Sequence, residues 1–332
     1  MKETAGNLSR DYFFDNLRLF LMFIVVLCHG IETIRNTSEV IILFHEVLLS
    51  FVMPMFVFLT GYFAKSMADE NSPKRLQIIN IILLYVITQA TKMHILGYNS
   101  FLKPSYGNWF LVAIIVWYMI LPLVSKLSPT IVLSTGIIAA ILIGIDPQAN
   151  TVLQTSRVVC FFPYFMLGFY CTNAQAAWIK SPSIRKIAFC VLLFTLGGCI
   201  GFWLDLAPLG ILHANLSYAQ MEIPNALGCM LREGWYIVSL LICFGITAII
   251  PRKQLKISVY GSRTLPIYII HTVVYAYIKS NTSWFPMVGK LGSPYISIIT
   301  FIVISMIVVA VCGNRYFANW FNSFMKYDFS HI

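Results

Sequence analysis

The chain has 332 residues, of which 58% are hydrophobic and only 11% are charged, and its mean hydropathy is +0.78. This composition excludes an ordinary soluble globular protein and predicts an all-α, multi-pass protein of the cell membrane. The net charge of +10 does not indicate nucleic-acid binding, because the basic residues lie in short loops between apolar segments and form no continuous patch.

Apolar segments of about the length that crosses a bilayer, roughly 20 residues, recur along the chain. They predict one membrane domain over residues 1–332, a bundle of about ten transmembrane helices with no appended soluble domain. The first helix is expected to be retained, because no small-residue cleavage pattern follows it. Residues 205–232 are the longest non-hydrophobic stretch and are predicted to form a loop. The second predicted helix is centred on residues 51–63, after an apolar segment from Val40, and the pair His45-Glu46 interrupts the apolar pattern between them and leaves the boundary open. The other predicted helices cover about 17–34, 76–93, 109–123, 130–145, 158–171, 187–204, 235–250, 265–277 and 295–311.

The distribution of lysine and arginine predicts the orientation of this bundle. If the N-terminus is cytoplasmic, 16 of the 23 basic residues fall on the cytoplasmic side and 7 on the other. Because basic residues concentrate in cytoplasmic loops, both termini are expected in the cytoplasm. An even number of helices fits this arrangement.

The eight cysteines lie mainly inside apolar segments, without a CxxC pair and without clusters of cysteine and histidine. This pattern is typical of small buried side chains and predicts neither a disulfide framework nor a metal site. No metal is therefore expected.

The segment Asp15-Asn16-Leu17-Arg18, followed by ten mostly apolar residues and His29, opens the first predicted helix. Eleven residues make about three helical turns, so Arg18 and His29 share one face about 16 Å apart. Glu32 follows His29 at i+3, where a carboxylate is able to orient the imidazole. Because an ionisable group inside a membrane indicates function, His29 is a candidate general base. A histidine bonded between helices, or a proton relay in a transporter, fits the same pattern.

Four cations fall at the predicted cytoplasmic ends of the first three helices, namely Arg18, Lys65, Lys74 and Arg75. Such a group of cations is suited to bind the phosphate groups of a ligand that enters from the cytoplasm. The alternative is that these residues only set the membrane topology.

A second intramembrane histidine, His271, lies in a late predicted helix. It is able to meet His29 in the folded bundle, or to serve only as a structural hydrogen-bonding group. Two segments, 56–63 and 108–111, combine aromatic with small and polar residues. Their periodicity favours a role in helix packing over a role in a binding site. Gly61, in the first segment, permits two helices to approach closely.

Taken in chain order, these motifs resemble those of acyltransferase family 3, the integral membrane O-acyltransferases, and especially its fucose 4-O-acetylase-like branch. Arg18 and His29 are similar to the family signature of Arg, ten residues and His. The chain departs from the family pattern at Thr60, where Ser is usual, and at Lys74, where Arg often stands. The other matching motifs are Pro54 with segment 56–63, the pair Lys74-Arg75, Trp109-Phe110-Leu111 and Tyr268-x-x-His271.

The resemblance implies transfer of an acetyl group from cytoplasmic acetyl-CoA to a hydroxyl of a cell-surface or lipid-linked carbohydrate. It implies that Arg18, Lys74 and Arg75 hold the CoA phosphates and that His29 is the general base or an acyl relay. In this interpretation the further candidate catalytic residues are Glu32 and His271. The further candidates for binding acetyl-CoA are Thr60, Tyr62 and Trp109.

Two other classes are consistent with the sequence: a secondary transporter, and a non-enzymatic membrane module that binds a ligand or acts as a sensor. A transporter favours broken helices and repeat symmetry, and no convincing repeat is present. A sensor module is expected to be joined to a soluble output domain, which is not predicted here. The expected partners are a glycan acceptor and the lipid bilayer, with no nucleic acid, and the sequence leaves the oligomeric state open.

Overall fold

The computed structural model describes residues 11–97, 100–105, 107–199 and 209–326, and these residues form a helical bundle without a strand. The α-helices in these ranges, numbered here in chain order, are α1 (Tyr12–Ile31), α2 (Glu39–Phe63), α3 (Gln77–Leu96), α4 (Trp109–Val124), α5 (Pro129–Leu142), α6 (Thr155–Tyr170), α7 (Asn173–Ile179), α8 (Pro182–Phe194), α9 (Leu209–His213), α10 (Asn225–Ile246), α11 (Thr264–Asn281), α12 (Trp284–Gly289), α13 (Pro294–Cys312) and α14 (Arg315–Lys326).

Five helical segments in this part of the chain are long and apolar enough to cross a membrane. They are Tyr12–Ile31, Glu39–Phe63, Pro73–Leu96, Asn225–Ile246 and Pro294–Cys312. Two further apolar segments, Trp109–Val124 and Pro129–Ile145, are shorter. An all-helical protein with five helices of membrane-spanning length and composition is thus established, and this is typical of a membrane protein.

Two helices begin earlier than the sequence predicts, because polar residues cap them. The Asp11 carboxylate accepts a hydrogen bond from the Phe13 amide at 3.1 Å and starts α1. The Ser38 hydroxyl caps α2 in the same way, so the helix that the sequence centres on residues 51–63 begins at Glu39 and includes the apolar segment before it. The polar pair His45-Glu46 interrupts the apolar pattern of the sequence, but both side chains are buried and α2 continues through them.

The predicted loop over residues 205–232 is wrong in its last part, since α10 begins at Asn225, directly after Pro224. The charged residue near its start, Arg232, is fully buried and does not mark a solvent-exposed loop. The predicted helix over 187–204 corresponds to α8 and a π-helical turn, Thr195–Cys199. Its remainder lies outside the described residues.

Close backbone contacts hold α2 against α6. An added Cβ at Gly61 would lie 1.9 Å from the carbonyl oxygen of Phe165, and one at Gly168 would lie 1.9 Å from that of Phe58. Only glycine fits these two positions, which confirms the predicted close approach at Gly61 and fixes α2 against α6.

The start of α1 is tied to the segment that precedes α11. The Asn16 amide donates to the carbonyls of Pro251 and Lys253 at 2.8 and 3.0 Å, and its oxygen accepts from the Ser258 hydroxyl at 2.6 Å. Because α1 also packs against α2, α11 and α13, it is the central helix around which candidate residues from distant segments are arranged.

Candidate active site

The imidazole rings of His29, from α1, and His271, from α11, are in direct contact. Nε2 of His271 lies 2.9 Å from Nδ1 of His29, and Nδ1 of His271 lies 2.7 Å from the carbonyl oxygen of Ile267. That carbonyl only accepts, so Nδ1 of His271 carries a proton, and Nε2 of a neutral ring is then an acceptor. His29 therefore donates through Nδ1, and its own Nε2 holds the lone pair that accepts a proton.

The backbone of Gly107 lies beside the His29 ring and Thr272. Gly107 has a φ of +87°, and an added Cβ would lie 3.0 Å from the Thr272 methyl carbon and 3.6 Å from Cε1 of His29. The Tyr268 hydroxyl donates a hydrogen bond to the Gly107 carbonyl. Tyr268 therefore anchors the loop that faces the imidazoles, while His271, one turn later, contacts His29 directly.

A buried polar network fixes this loop on α3. The Lys92 ammonium donates to Oδ1 of Asn108 at 2.7 Å, and the Asn108 amide donates to Oε1 of Gln89 at 3.0 Å. The same oxygen of Gln89 accepts from the amide and the hydroxyl of Ser105, each at 2.9 Å. Since buried polar groups rigidify a site when they are satisfied, this network holds the Gly107 loop in one position.

A cavity of about 200 Å³ opens beside His29. The Arg157 guanidinium lies 5.1 Å from the centre of the Trp109 ring. Both residues line the cavity, and Arg157 gives the cavity wall a positive charge. Trp109, a predicted acetyl-CoA residue, thus lies at the His29 end of α1. The cavity is lined by Cys28, His29, Glu32, His45, Leu49, Met53, Gly107, Trp109, Arg157, Phe161, Leu212, His213 and Asn215.

The prediction that Glu32 orients His29 is not what the structure shows. Oε2 of Glu32 lies 3.4 Å from Nδ1 of His45 and 3.6 Å from Nη1 of Arg35, whereas the ring partner of His29 is His271. Glu32 is the residue after the last turn of α1, and its carboxylate turns toward α2. It still lines the same cavity.

A third ionisable side chain, His213 at the end of α9, lies beside Glu32 and His45. The three side chains form a cluster in the cavity wall. Burial raises the pKa of the Glu32 carboxyl, and Arg35 opposes this effect. Burial, and then the nearby Arg157, lower the pKa of His213 well below its ordinary value. Both effects favour uncharged forms of these two groups.

The predicted cation cluster lies at the opposite end of α1. The Arg18 guanidinium stacks on the Phe63 ring at 3.9 Å and also lies 3.9 Å from the Asp15 carboxylate. Nearby, Tyr62 stacks on Phe14 with a centroid distance of 4.9 Å and donates its hydroxyl to Asn173 at 2.9 Å. This end of the bundle therefore combines positive charge with aromatic faces.

The remaining predicted residues at this end differ in their surroundings. Arg75 donates through Nη1 to the carbonyls of Met67 and Tyr118 at 2.8 and 3.2 Å, so it joins the loop after α2 to α4. Lys74 is exposed. The Thr60 hydroxyl donates to the Phe56 carbonyl of its own helix at 3.0 Å.

Packed side chains separate the two ends along the face of α1 that carries Arg18 and His29. Met22 and Val25 lie on this face, and they are 1% and 3% exposed. The cavity lining reaches Met53 and Phe161 and does not include Arg18. The cavity beside His29 therefore does not extend along this face of α1 to Arg18.

Sequence reasoning missed several polar residues of the site and, in Arg232, a buried cation elsewhere in the bundle. Lys92, His45 and Arg232 are buried cations or imidazoles inside helices long enough to span a membrane. The rule that such residues indicate function inside a membrane would have found them once the helix bounds were correct. Arg157 and His213 carry no comparable signal, because they lie near the ends of short helices.

In the part of the chain that the structure describes, the fold and the site define an all-helical protein with five helices long and apolar enough to cross a membrane and with a pair of contacting histidines, of which His271 is fully buried and His29 is half-buried. No family model matches the sequence. Comparisons with curated proteins and with solved structures likewise give no significant match. The resemblance to acyltransferase family 3 therefore depends on the motifs themselves.

Proposed function

We propose that the protein is a multi-pass membrane O-acetyltransferase that moves an acetyl group from acetyl-CoA to a hydroxyl of a cell-surface or lipid-linked carbohydrate. The observation that carries the proposal is the contact between His29 and His271, which are 242 residues apart in the sequence. These residues end the first and the last of the motifs that resemble acyltransferase family 3. Their meeting in one site, beside a cavity, supports a shared chemical role.

In this proposal His29 acts as the general base. Its Nε2 accepts the proton of the acceptor hydroxyl while the hydroxyl oxygen attacks the thioester carbonyl carbon. The carbon–sulfur bond then breaks, the acetyl group stays on the acceptor oxygen, and the proton passes from His29 to the sulfur of CoA. A relay in which Nε2 of His29 takes the acetyl group first uses the same geometry.

Other residues of the cavity wall support this reaction electrostatically. Arg157 supplies a positive charge that stabilises the oxygen of the thioester carbonyl as negative charge develops on it. His271 is a positioning residue, because it holds the proton of His29 on Nδ1 and leaves Nε2 as the acceptor.

The donor is proposed to bind from the Arg18 end, with both chain termini cytoplasmic. Arg18, Lys74 and Arg75 hold the CoA phosphates, and the aromatic faces beside Thr60 and Tyr62 contact the nucleotide. The pantetheine arm then has to pass Met22 and Val25, so donor binding requires these side chains to move apart.

The test uses purified full-length protein in lipid nanodiscs with radiolabelled acetyl-CoA and a glycan fraction from the envelope of the source cells. We expect release of free CoA together with transfer of label to the glycan. His29→Gln should lower the transfer rate by about 10²–10⁴-fold, the usual contribution of a general base. His94→Gln, a change at an exposed histidine of α3, is the matched control and should leave the rate unchanged.

Normal transfer by a folded His29→Gln protein would contradict the proposed base. Uptake of a sugar or an ion by proteoliposomes without consumption of acetyl-CoA would instead establish a transporter. Binding of acetyl-CoA without transfer to any envelope glycan would favour a ligand-binding module.

A further inference from the structure

Three side chains from separate parts of the chain converge at the wall of the cavity. They are the carboxylate of Glu32 and the imidazoles of His45 and His213, whose possible ligand atoms all lie within 4.8 Å of one another. We propose that these residues bind one divalent transition-metal ion of the Zn²⁺ type. Two histidines and one carboxylate are a ligand set found in zinc hydrolases and in non-haem iron sites.

The spacing of Glu32 and His45 fits a metal better than a hydrogen bond. Nδ1 of His45 and Oε2 of Glu32 are 3.4 Å apart, which exceeds the usual N–H···O distance of about 2.7–3.2 Å. Zinc bonds of about 2.0–2.1 Å in a tetrahedron place neighbouring ligand atoms about 3.3 Å apart. The pair is therefore already at the separation that a metal requires, and His213, whose ligand atom lies within 4.8 Å of the other two, completes the set of three.

The same two atoms are buried without hydrogen-bond partners among the described residues. The His45 side chain is 1% exposed, so water does not satisfy its Nδ1. A buried polar atom without a hydrogen bond costs about 1–3 kcal/mol. A metal ion between His45 and Glu32 removes this cost for both residues at once.

The third ligand is held in place by contacts to its backbone. The Arg157 Nε donates to the carbonyl oxygen of His213 at 2.9 Å. The next residue, Ala214, has a φ of +51° and is fully buried, a conformation that L-residues adopt at a cost. These contacts keep His213 turned toward the cavity, beside His45, whose ring centre is 6.0 Å from that of His213.

Arg35 is the cation that competes with a metal for Glu32. Its Nη1 lies 3.6 Å from Oε2, its side chain is 24% exposed, and its Nε donates to Oδ1 of Asn36 at 3.2 Å. Because Arg35 reaches solvent, it is able to leave the carboxylate when a metal arrives. Removal of Arg35 should therefore strengthen metal binding, whereas removal of a ligand should abolish it.

Three protein ligands leave a fourth position of a tetrahedral ion open, as in catalytic zinc sites. That position is available to an oxygen ligand in the cavity that His29 also lines. Its use by the acceptor hydroxyl rests on the proposed transferase function. Metal binding itself does not depend on that function. The sequence predicted no metal because the three ligands lie far apart along the chain.

The test measures metal in the full-length protein, purified in detergent without a polyhistidine tag. We expect about one equivalent of a divalent transition metal by elemental analysis, or uptake of one equivalent of added Zn²⁺ after chelation. His45→Gln, His213→Gln and Glu32→Gln should each weaken Zn²⁺ binding by more than about 100-fold, since loss of an outer-shell partner alone costs about 10- to 100-fold. Zn²⁺ should also raise the Tm of the wild-type protein.

Two further variants keep the test decisive if a buried substitution impairs folding. Arg35→Gln changes a partly exposed loop residue and should tighten Zn²⁺ binding several-fold, and His94→Gln should leave it unchanged. The proposal is overturned if the wild-type protein neither contains nor takes up a metal. It is also overturned if the metal persists in all three ligand variants, because the ion is then bound elsewhere. Neither result bears on transfer by His29, which is measured separately.

Discussion

Nε2 of His271 accepts a hydrogen bond from Nδ1 of His29 at 2.9 Å, and this direction is set by the Ile267 carbonyl on the far side of His271. The backbone of α11 thus determines which nitrogen of a histidine in α1 holds a lone pair. The pair is the structural basis for proposing His29 as a base and His271 as the residue that positions it.

Replacement of His271 should affect catalysis without affecting donor binding. His271→Phe removes the acceptor for the His29 proton and should lower kcat by about 10²-fold, while KM for acetyl-CoA stays the same. His271→Gln retains an oxygen that is able to accept this proton and should recover part of the rate. Steady-state kinetics on the three proteins check this expectation. Equal losses in the two variants would indicate that His271 serves packing only.

Gly107 should tolerate no side chain. Gly107→Ala has to adopt a φ of +87° and brings Cβ to 3.0 Å from the Thr272 methyl carbon, so both Tm and transfer activity should fall. Gly97→Ala is a matched control, because Gly97 has a φ of +73° but no atom of the described residues lies within 4 Å of an added Cβ. It should cost only the backbone strain, about 1–2 kcal/mol.

A second substitution separates strain from contact at Gly107. Thr272→Ser removes the methyl group and keeps the hydroxyl that donates to the Ile269 carbonyl at 2.9 Å. Activity of Gly107→Ala should recover in the Thr272→Ser background. An unchanged loss in the double variant would show that crowding at Thr272 is not the cause.

The three predicted phosphate-binding residues should differ in their effects on stability. Arg18→Gln and Lys74→Gln should weaken acetyl-CoA binding by about tenfold each with little change in Tm. Arg75→Gln should also lower Tm, because it removes the hydrogen bonds to the carbonyls of Met67 and Tyr118. Calorimetric binding and thermal denaturation measure the two effects separately.

The control for these charge changes lies at the other end of the bundle. Lys290 is exposed, and its neighbour Gly289 packs against Ile34 and Thr37, beyond His29. Lys290→Gln should leave acetyl-CoA affinity unchanged. If Arg18→Gln also leaves it unchanged, Arg18 only orients the protein in the membrane.

The sequence predicted the helical class because apolar segments recur at membrane-spanning length, and the bounds of α13 match to within a residue. It failed where polar residues are buried inside helices. His45 and Glu46 in α2, and Arg232 in α10, resembled loop residues although the helices continue through them. Local composition does not distinguish a buried polar group from an exposed one.

The candidate site was predictable only in part. The spacing from Arg18 to His29 follows from helix geometry, and the meeting of His29 and His271 was one of two outcomes that the sequence allowed. The turn of Glu32 toward His45 depends on how α1 ends against α2, and the position of His213 depends on a contact with Arg157. These are long-range contacts, which a single sequence does not encode in any local pattern.

The packed face of α1 between the two ends should open when the donor binds. Val25→Cys should react with a maleimide only in the presence of CoA or acetyl-CoA, and Val26→Cys, which is buried on another face, should stay protected in both conditions. Peptide mass spectrometry separates these positions from the native cysteines, including exposed Cys190. Protection of Val25→Cys at saturating acetyl-CoA would contradict a donor path along this face.

The most direct measurement of the central claim is a double-mutant cycle on acetyl transfer with His29→Gln, His271→Phe and the two combined. If His271 acts only through His29, the double variant should be as slow as His29→Gln alone, because residues that act as a unit are not additive. Losses that multiply in the double variant would contradict the account, since His271 would then contribute independently of His29.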